Sequence, residues 1–147
     1  MSLTPQWRTL LSDPSIRQAL KQAWLDSEPG PTGGHEEGGF LLRDVQDQVV
    51  VHRWPLGTQN TIAVPPHPAC RLADADIMAT FHTHPNTGPD YLQAPSVTDM
   101  RAVRDDPDLK GDAYLGELVL TQALFYLITP NGAVTALGTW NLLADSG

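Results

Sequence analysis

The sequence predicts an α/β fold of the α+β kind, with a mixed central β-sheet flanked by helices. Three observations predict it: apolar runs of strand length recur between residues 39 and 137, two segments are typical of helices, and breaks rich in glycine and proline separate them. The chain has 147 residues and 41% hydrophobic content, which is the size and composition of one globular domain. We therefore expect residues 1–147 to form a single domain.

The first predicted element is an amphipathic helix over residues 14–27. Asp13 suits the N-cap position, and Pro14 suits the first helical position. Apolar residues then recur at helical spacing. Residues 28–34 are turn formers that cannot continue the helix. Residues 1–33 are thus predicted to be an N-terminal helix with a glycine- and proline-rich lead-in.

The rest of the chain alternates between strand patterns and turn-forming residues. One further helix is predicted from Ser96 to about residue 104, because Ser96 suits the N-cap and Asp99 stands three residues later. Residues 86–95 contain glycine and prolines without periodicity, so we expect a loop there. The predicted strands are residues 39–42, 49–54, 61–64, 77–81, 117–120, 125–129 and 133–137.

The segment Phe81-His82-Thr83-His84-Pro85 carries the most informative chemistry in the chain. Residues i and i+2 of an extended strand point to the same side, so both imidazoles leave one face where the predicted strand ends. Asp99 adds a carboxylate if the helix folds back onto this strand. Two histidines and one carboxylate with an open fourth position are typical of catalytic zinc. We therefore expect one zinc ion per chain, held by His82, His84 and Asp99, that activates a water for hydrolysis.

Peptide hydrolysis at such a site needs two further groups. A residue near the metal must take the proton from the attacking water and pass it to the leaving amine, and Glu36 or Glu37 is the candidate. A neutral donor must stabilise the oxyanion at the scissile carbonyl, and the Ser96 hydroxyl suits this role. Asp99 lies in the first turn of its predicted helix, where the helix dipole favours a carboxylate.

A glutamate, then His-x-His-Pro, then Ser-x-x-Asp, in this order, resembles the JAMM motif of the MPN-domain zinc metallopeptidases. The stretch Glu36-Glu37-Gly38-Gly39-Phe40-Leu41 is similar to the Glu-x-x-Gly-apolar-apolar pattern of that family, and this alignment selects Glu36 as the acid/base residue. The resemblance implies that the two histidines and Asp99 bind the zinc and that Ser96 stabilises the oxyanion. It covers about residues 34–121 and implies the cytidine-deaminase-like MPN fold.

The resemblance also implies a substrate class. Enzymes of this family cleave after the C-terminal glycine of ubiquitin-like folds, and small stand-alone prokaryotic members of the JAB type are associated with processing ubiquitin-like or sulfur-carrier proteins. A peptidase or isopeptidase with a ubiquitin-like protein substrate is therefore expected, and the alternative is a catalytically silent MPN scaffold that only binds. The loop from Asn86 to Pro95 is longer than the family usually has, and Tyr91 and Leu92 within it are candidate substrate-facing residues.

Composition excludes several other functions. Seventeen acidic against nine basic residues give a formal charge of -8, which repels a phosphate backbone or an anionic membrane surface, so we expect neither nucleic acid nor membrane as a partner. The single cysteine excludes an intramolecular disulfide and suits a reducing compartment. Because the N-terminal residues lack the pattern of a secretory signal, we expect a cytoplasmic protein. The oligomeric state has no signature in the sequence.

Four remaining residues that can take part in chemistry receive no functional assignment. Cys70 is expected to be a buried small apolar residue, because nothing around it resembles a nucleophile motif. His35, His52 and His67 have no partner at a metal-binding spacing, so we expect ordinary surface or strand positions for them.

Overall fold

Seven strands form one mixed sheet in the computed structural model, which describes residues 3–31, 34–88 and 93–143. The strands are β1 (Gly38–Arg43), β2 (Val49–Arg53), β3 (Arg71–Leu72), β4 (Ala75–Thr83), β5 (Glu117–Leu120), β6 (Phe125–Ile128) and β7 (Val134–Gly138). Their order across the sheet is β2-β1-β4-β5-β6-β7, with β3 paired to β4. Strands β4 and β5 run parallel, and the other neighbouring pairs are antiparallel.

Three α-helices accompany the sheet: α1 (Pro5–Ser12), α2 (Pro14–Asp26) and α3 (Val97–Arg104). The Asp13 carboxylate caps α2 by accepting from the backbone N–H groups of Ser15 and Ile16, as the sequence predicts. The helix α1 was not predicted; it is capped by the Thr4 hydroxyl. Within the described part of the chain, no helix is long and apolar enough to cross a bilayer.

Both faces of the sheet are buried. Helices α1 and α2 cover one face and pack against Leu41, Phe81 and Leu118. Helix α3 contributes Val103 to a second core on the opposite face. Strands β1 and β5 supply both cores, because successive residues of a strand point to opposite sides. The protein is therefore of the mixed α+β class, with helices on either side of a mixed sheet, as the sequence predicts.

Six of the predicted strands are present, with ends shifted by no more than two residues. The predicted strand at residues 61–64 is wrong. A turn precedes it, in which the Thr58 N–H donates to the Thr61 carbonyl at 2.8 Å and the Thr61 N–H donates to the Thr58 hydroxyl at 3.1 Å. Prolines at positions 65 and 66 follow directly. Proline has no backbone N–H to donate to a neighbouring strand, so the segment does not pair in the sheet. The short β3 was not predicted.

Candidate metal centre

The two histidines of the motif project from the end of β4. His82 lies within the strand, in register with Val119 of β5, on the face that α3 covers. His84 lies just beyond the strand, but its backbone N–H still donates to the Leu120 carbonyl at 2.8 Å. The chain therefore stays aligned with the sheet, and both imidazoles point to the same side, with ring centroids 5.0 Å apart.

Gly38 in β1 is the antiparallel partner of His82 in β4. Because glycine has no side chain, it leaves room beside this histidine. A Cβ atom at this position would lie 2.5 Å from Cε3 of Trp54 and 2.7 Å from the carbonyl oxygen of Phe81. Both distances are shorter than van der Waals contact, and the carbonyl belongs to the strand that carries the histidines. The glycine thus lets β1 and the Trp54 ring approach β4 closely.

The three predicted ligands meet at one point. Nε2 of His82 lies 3.2 Å from Nε2 of His84, which in turn lies 3.1 Å from Oδ2 of Asp99. Nε2 of His82 lies 3.6 Å from the other carboxylate oxygen of Asp99, Oδ1. Ligands on a tetrahedral zinc ion with bonds near 2.0–2.1 Å are separated by about 3.3 Å. The 3.1 and 3.2 Å distances are close to this separation, so the group could hold a metal ion.

The outer nitrogens of the imidazoles also favour a cation at this point. Nδ1–H of His84 donates to the Gln93 carbonyl at 2.8 Å, and Nδ1 of His82 lies 2.9 Å from Oε2 of Glu117. Both oxygens accept hydrogen bonds, so the tautomer that suits them has its proton on Nδ1 and a lone pair on Nε2. Two such lone pairs facing each other at 3.2 Å repel unless a cation or a proton lies between them.

Asp99 is held by the first turn of α3. Its Oδ2 accepts from the backbone N–H of Ser96 at 2.8 Å, while its own N–H donates to the Ser96 hydroxyl at 3.1 Å. This capping box fixes the carboxylate toward the histidines. Burial alone would raise the pKa of Asp99, but the adjoining imidazoles of His82 and His84 hold it well below its usual range. The carboxylate is therefore ionised.

Negatively charged side chains surround His82. Burial alone would lower the pKa of this fully enclosed imidazole, but the charge of Glu117 and the contact with Asp99 raise it well above the usual value. The surroundings of the ring thus favour positive charge. A bound cation satisfies the same preference.

The structure separates the two adjacent glutamates. Glu36 borders the same cavity as His82, Ser96 and Asp99. Glu37 lies on the other side of the chain, where its carboxylate pairs with Arg53 at 2.6 Å and with His35. Because consecutive residues of an extended segment point to opposite faces, only one of them can lie beside the metal ligands. That residue is Glu36.

The cavity beside the candidate ligands has a volume of about 280 Å³. Glu36, Glu117, Ser96 and the ligands form its polar end, while Trp54, residues 60–64 and α3 form its walls. Glu36 is 5% exposed, and burial raises its pKa above the ordinary value. Within the described residues its carboxylate has no hydrogen-bond partner, so it is available to a molecule that enters the cavity.

Two groups at this centre were not predicted from the sequence. Glu117 is a carboxylate at the start of an otherwise apolar buried strand, and this isolated charge was the signal that could have found it. The Gln93 carbonyl is a backbone group and has no signature in residue type. Tyr91 and Leu92, the candidate substrate-facing residues, lie outside the described residues.

The residues without an assigned role differ in their surroundings. Cys70 is buried, as predicted, and burial raises the pKa of its thiol. The expectation of an ordinary surface or strand position is wrong for His67, which is buried and lies 2.7 Å from Asp106 and 2.6 Å from the Pro65 carbonyl. His35 is partly buried and contacts Glu37.

The fold and the site together define an α+β protein with a candidate metal centre of two histidines and one aspartate. No family model matches the chain, and no curated protein matches it. Among solved structures, the chain is similar to the solution structure of a protein from Salinibacter ruber (strain DSM 13855). That comparison covers 95% of this chain and 90% of the other, with 15% sequence identity and a TM-score of 0.39.

Proposed function

We propose that this protein is a zinc-dependent metallopeptidase or isopeptidase of the JAMM type, a prokaryotic JAB-type member with the cytidine-deaminase-like MPN fold. The observation that carries the proposal is the convergence of three side chains, with Nε2 of His84 3.2 Å from Nε2 of His82 and 3.1 Å from Oδ2 of Asp99, and with Glu36 on the same cavity. The proposed acid/base residue thus lies on the same cavity as the proposed ligands, as metal-dependent hydrolysis requires. The motif resemblance supports the choice of a peptide or isopeptide bond.

Zinc supplies Lewis acidity when bound and lowers the pKa of a coordinated water to about 7. Glu36 takes the proton of the attacking water and returns it to the leaving amine. Two features suit it to this task. Its carboxylate is free of protein partners among the described residues, and its pKa is raised by burial, which lets it hold a transferred proton more readily than an exposed glutamate.

Ser96 donates a hydrogen bond to the oxygen of the scissile carbonyl. Its hydroxyl oxygen accepts from the Asp99 N–H, and this leaves the hydroxyl proton for another acceptor. Since Ser96 borders the cavity with Glu36 and Asp99, that acceptor is the substrate oxygen, where negative charge develops during the reaction. The N-cap role keeps the hydroxyl in place, so little reorganisation is needed.

The proposed substrate is a ubiquitin-like or sulfur-carrier-like protein that is cleaved after its C-terminal glycine. The cavity between the segment of residues 60–64 and α3 suits an extended glycine-rich tail, because glycine lets a backbone approach closely. The net charge of -8 makes nucleic acid an unsuitable alternative.

The test is incubation of the zinc-loaded protein with ubiquitin-like domains that end in Gly-Gly and carry a C-terminal extension or a lysine-linked peptide. Mass spectrometry of the products should place the cleavage after the terminal glycine, and chelation of the metal should abolish it. Binding of zinc and of these domains without any cleavage would instead establish the catalytically silent scaffold. Absence of zinc binding would overturn the metal centre itself.

A further inference from the structure

Glu117 is a buried carboxylate at the start of β5. The residue is 6% exposed, and the three residues after it, Leu118, Val119 and Leu120, are buried and apolar. In the parallel ladder it is in register with Thr80, two residues before His82 in β4. Since residues i and i+2 of a strand share a face, Glu117 lies on the His82 side of the sheet.

An isolated carboxylate in such surroundings is costly unless it is paired. Among the described residues, the basic group that meets Glu117 is His82, whose Nδ1 lies 2.9 Å from Oε2. The Glu117 carboxylate lies outside the group of three ligands whose atoms surround the candidate metal position. Its contact is with the outer nitrogen of a ligand, on the side away from the metal.

A histidine ring can rotate by half a turn and can carry its proton on either nitrogen. Without an anchor, either nitrogen can therefore face the metal, with or without a proton. We propose that Glu117 is a positioning residue that holds Nδ1–H of His82 and thereby turns Nε2 of His82 toward His84 and Asp99. This inference rests on the proposed zinc site. It assigns a function to a charge that the fold otherwise has no reason to bury.

His84 has a different anchor, because its Nδ1–H donates to the backbone carbonyl of Gln93. No substitution of a side chain removes that carbonyl, whereas Glu117 can be replaced. The chain also offers a matched control. Glu37 is a second buried glutamate, 7% exposed, but it pairs with Arg53 and His35 on the opposite side of the sheet.

The experiment compares zinc affinity in the wild-type protein, Glu117→Gln and Glu37→Gln by competition with a chromophoric chelator. Glutamine keeps the size of the side chain and removes its charge. Loss of a carboxylate that orients a ligating histidine weakens metal binding by about 10- to 100-fold, which is the expected result for Glu117→Gln. Glu37→Gln should bind zinc within about threefold of the wild-type affinity, because it touches no ligand.

A second measurement uses protein labelled with ¹⁵N-histidine and loaded with zinc. In the wild-type protein, Nδ1–H of His82 should give a downfield proton resonance in slow exchange with water, because a buried carboxylate accepts it. This resonance should move upfield in Glu117→Gln and stay in place in Glu37→Gln. The presence of this resonance is tested with the wild-type protein alone. The test therefore stays decisive even if a Glu117 variant does not fold.

The outcomes separate the two proposals. Zinc binding by the wild-type protein together with unchanged affinity in Glu117→Gln would overturn the positioning role and leave the proposed function standing. An absent downfield resonance in the zinc-loaded wild-type protein would do the same. Failure of the wild-type protein to bind zinc would overturn the proposed function and the positioning role with it.

Discussion

Glu36 and Glu37 are neighbours in the chain but lie on opposite sides of the sheet. Glu36 borders the cavity with His82 and Asp99, whereas Glu37 accepts from Arg53 at 2.6 Å. Backbone pairing causes this separation: the Thr83 N–H donates to the Glu37 carbonyl at 2.9 Å, so the ladder between β1 and β4 continues past Gly38. The alternation of a strand then assigns the two carboxylates to different environments.

Replacement of Glu36 by glutamine should abolish cleavage and leave zinc binding intact. An amide cannot accept and return the proton of the attacking water, and loss of such a group costs about 100- to 10,000-fold in rate. Glu37→Gln is the matched control and should retain cleavage, although the loss of its ion pair lowers stability. The rate of peptide cleavage and the zinc content are measured for both. Full activity in Glu36→Gln would show that another group is the base.

His84→Ala should lose zinc, because the site then keeps one imidazole and one carboxylate. The control is His67→Ala, which removes a buried histidine that pairs with Asp106 outside the metal centre. This variant should retain zinc but lose about 1–3 kcal/mol of unfolding free energy, since Oδ2 of Asp106 loses the partner that His67 provides. Equilibrium dialysis with metal analysis gives the zinc content, and urea denaturation gives the stability. Equal zinc content in the two variants would contradict the ligand assignment.

Ser96 has two functions in this interpretation, and two substitutions distinguish them. Both Ser96→Ala and Ser96→Gly remove the hydroxyl, and both should lower the cleavage rate by about 100- to 1,000-fold if it donates to the oxyanion. As N-caps they differ, because alanine costs about 1 kcal/mol and glycine only a few tenths. Thermal unfolding should therefore rank Ser96→Gly above Ser96→Ala. If the cleavage rates of the two variants instead followed their stabilities, Ser96 would have only the helix-capping role.

Gly38→Ala should destabilise the protein by about 1–3 kcal/mol, because the new methyl group overlaps Trp54 and the Phe81 carbonyl. Zinc affinity should fall as well, since Gly38 is in register with His82. The control is Gly30→Ala, where an added Cβ would meet nothing within 4 Å, and its effect should stay within about 0.5 kcal/mol. Denaturant unfolding and zinc titration of both variants test the prediction, and equal stabilities would refute it.

Asp13→Ala should remove about 1 kcal/mol of stability at neutral pH by deleting the N-cap of α2. Hydrogen bonding by Ser15 is the main cause that lowers the pKa of Asp13 below its ordinary value of 3.8. A carboxyl whose pKa is lower in the folded state stabilises the protein fully above its unfolded-state pKa and loses this effect as the pH falls through the folded-state value. The difference between wild type and Asp13→Ala should therefore shrink below about pH 4. Urea unfolding at pH 7 and pH 3 measures it, with the exposed Asp74→Ala as control.

The ligand triangle could be predicted from the sequence because its signals are local. His82 and His84 stand two residues apart on a strand, and Asp99 stands three residues after a helix N-cap. The choice between Glu36 and Glu37 needed the family resemblance as well, because adjacent glutamates beside glycines carry no local signal for which side each one faces. In the structure, Glu36 lines the cavity beside His82 and Asp99, and its role as the acid/base residue stays a prediction.

The parts that sequence reasoning missed depend on contacts between distant segments or on weak local patterns. Glu117 meets His82 only because β4 and β5 run parallel, and no pattern within either strand states that pairing. Helix α1 is too short to show a clear period before the stronger helix that follows. The segment at residues 61–64 has strand-like composition, but the turn at Thr58 directs it along the cavity.

The Asp99 carboxylate accepts from the N–H that precedes α3 and also faces the two imidazoles. Helix initiation and cation occupancy therefore share one group, and by thermodynamic linkage each reinforces the other. Filling the centre should slow amide hydrogen exchange in the first turn of α3 more than in α2. If the centre binds a cation, the order of α3 should therefore depend on its occupancy, and the same helix forms one wall of the cavity.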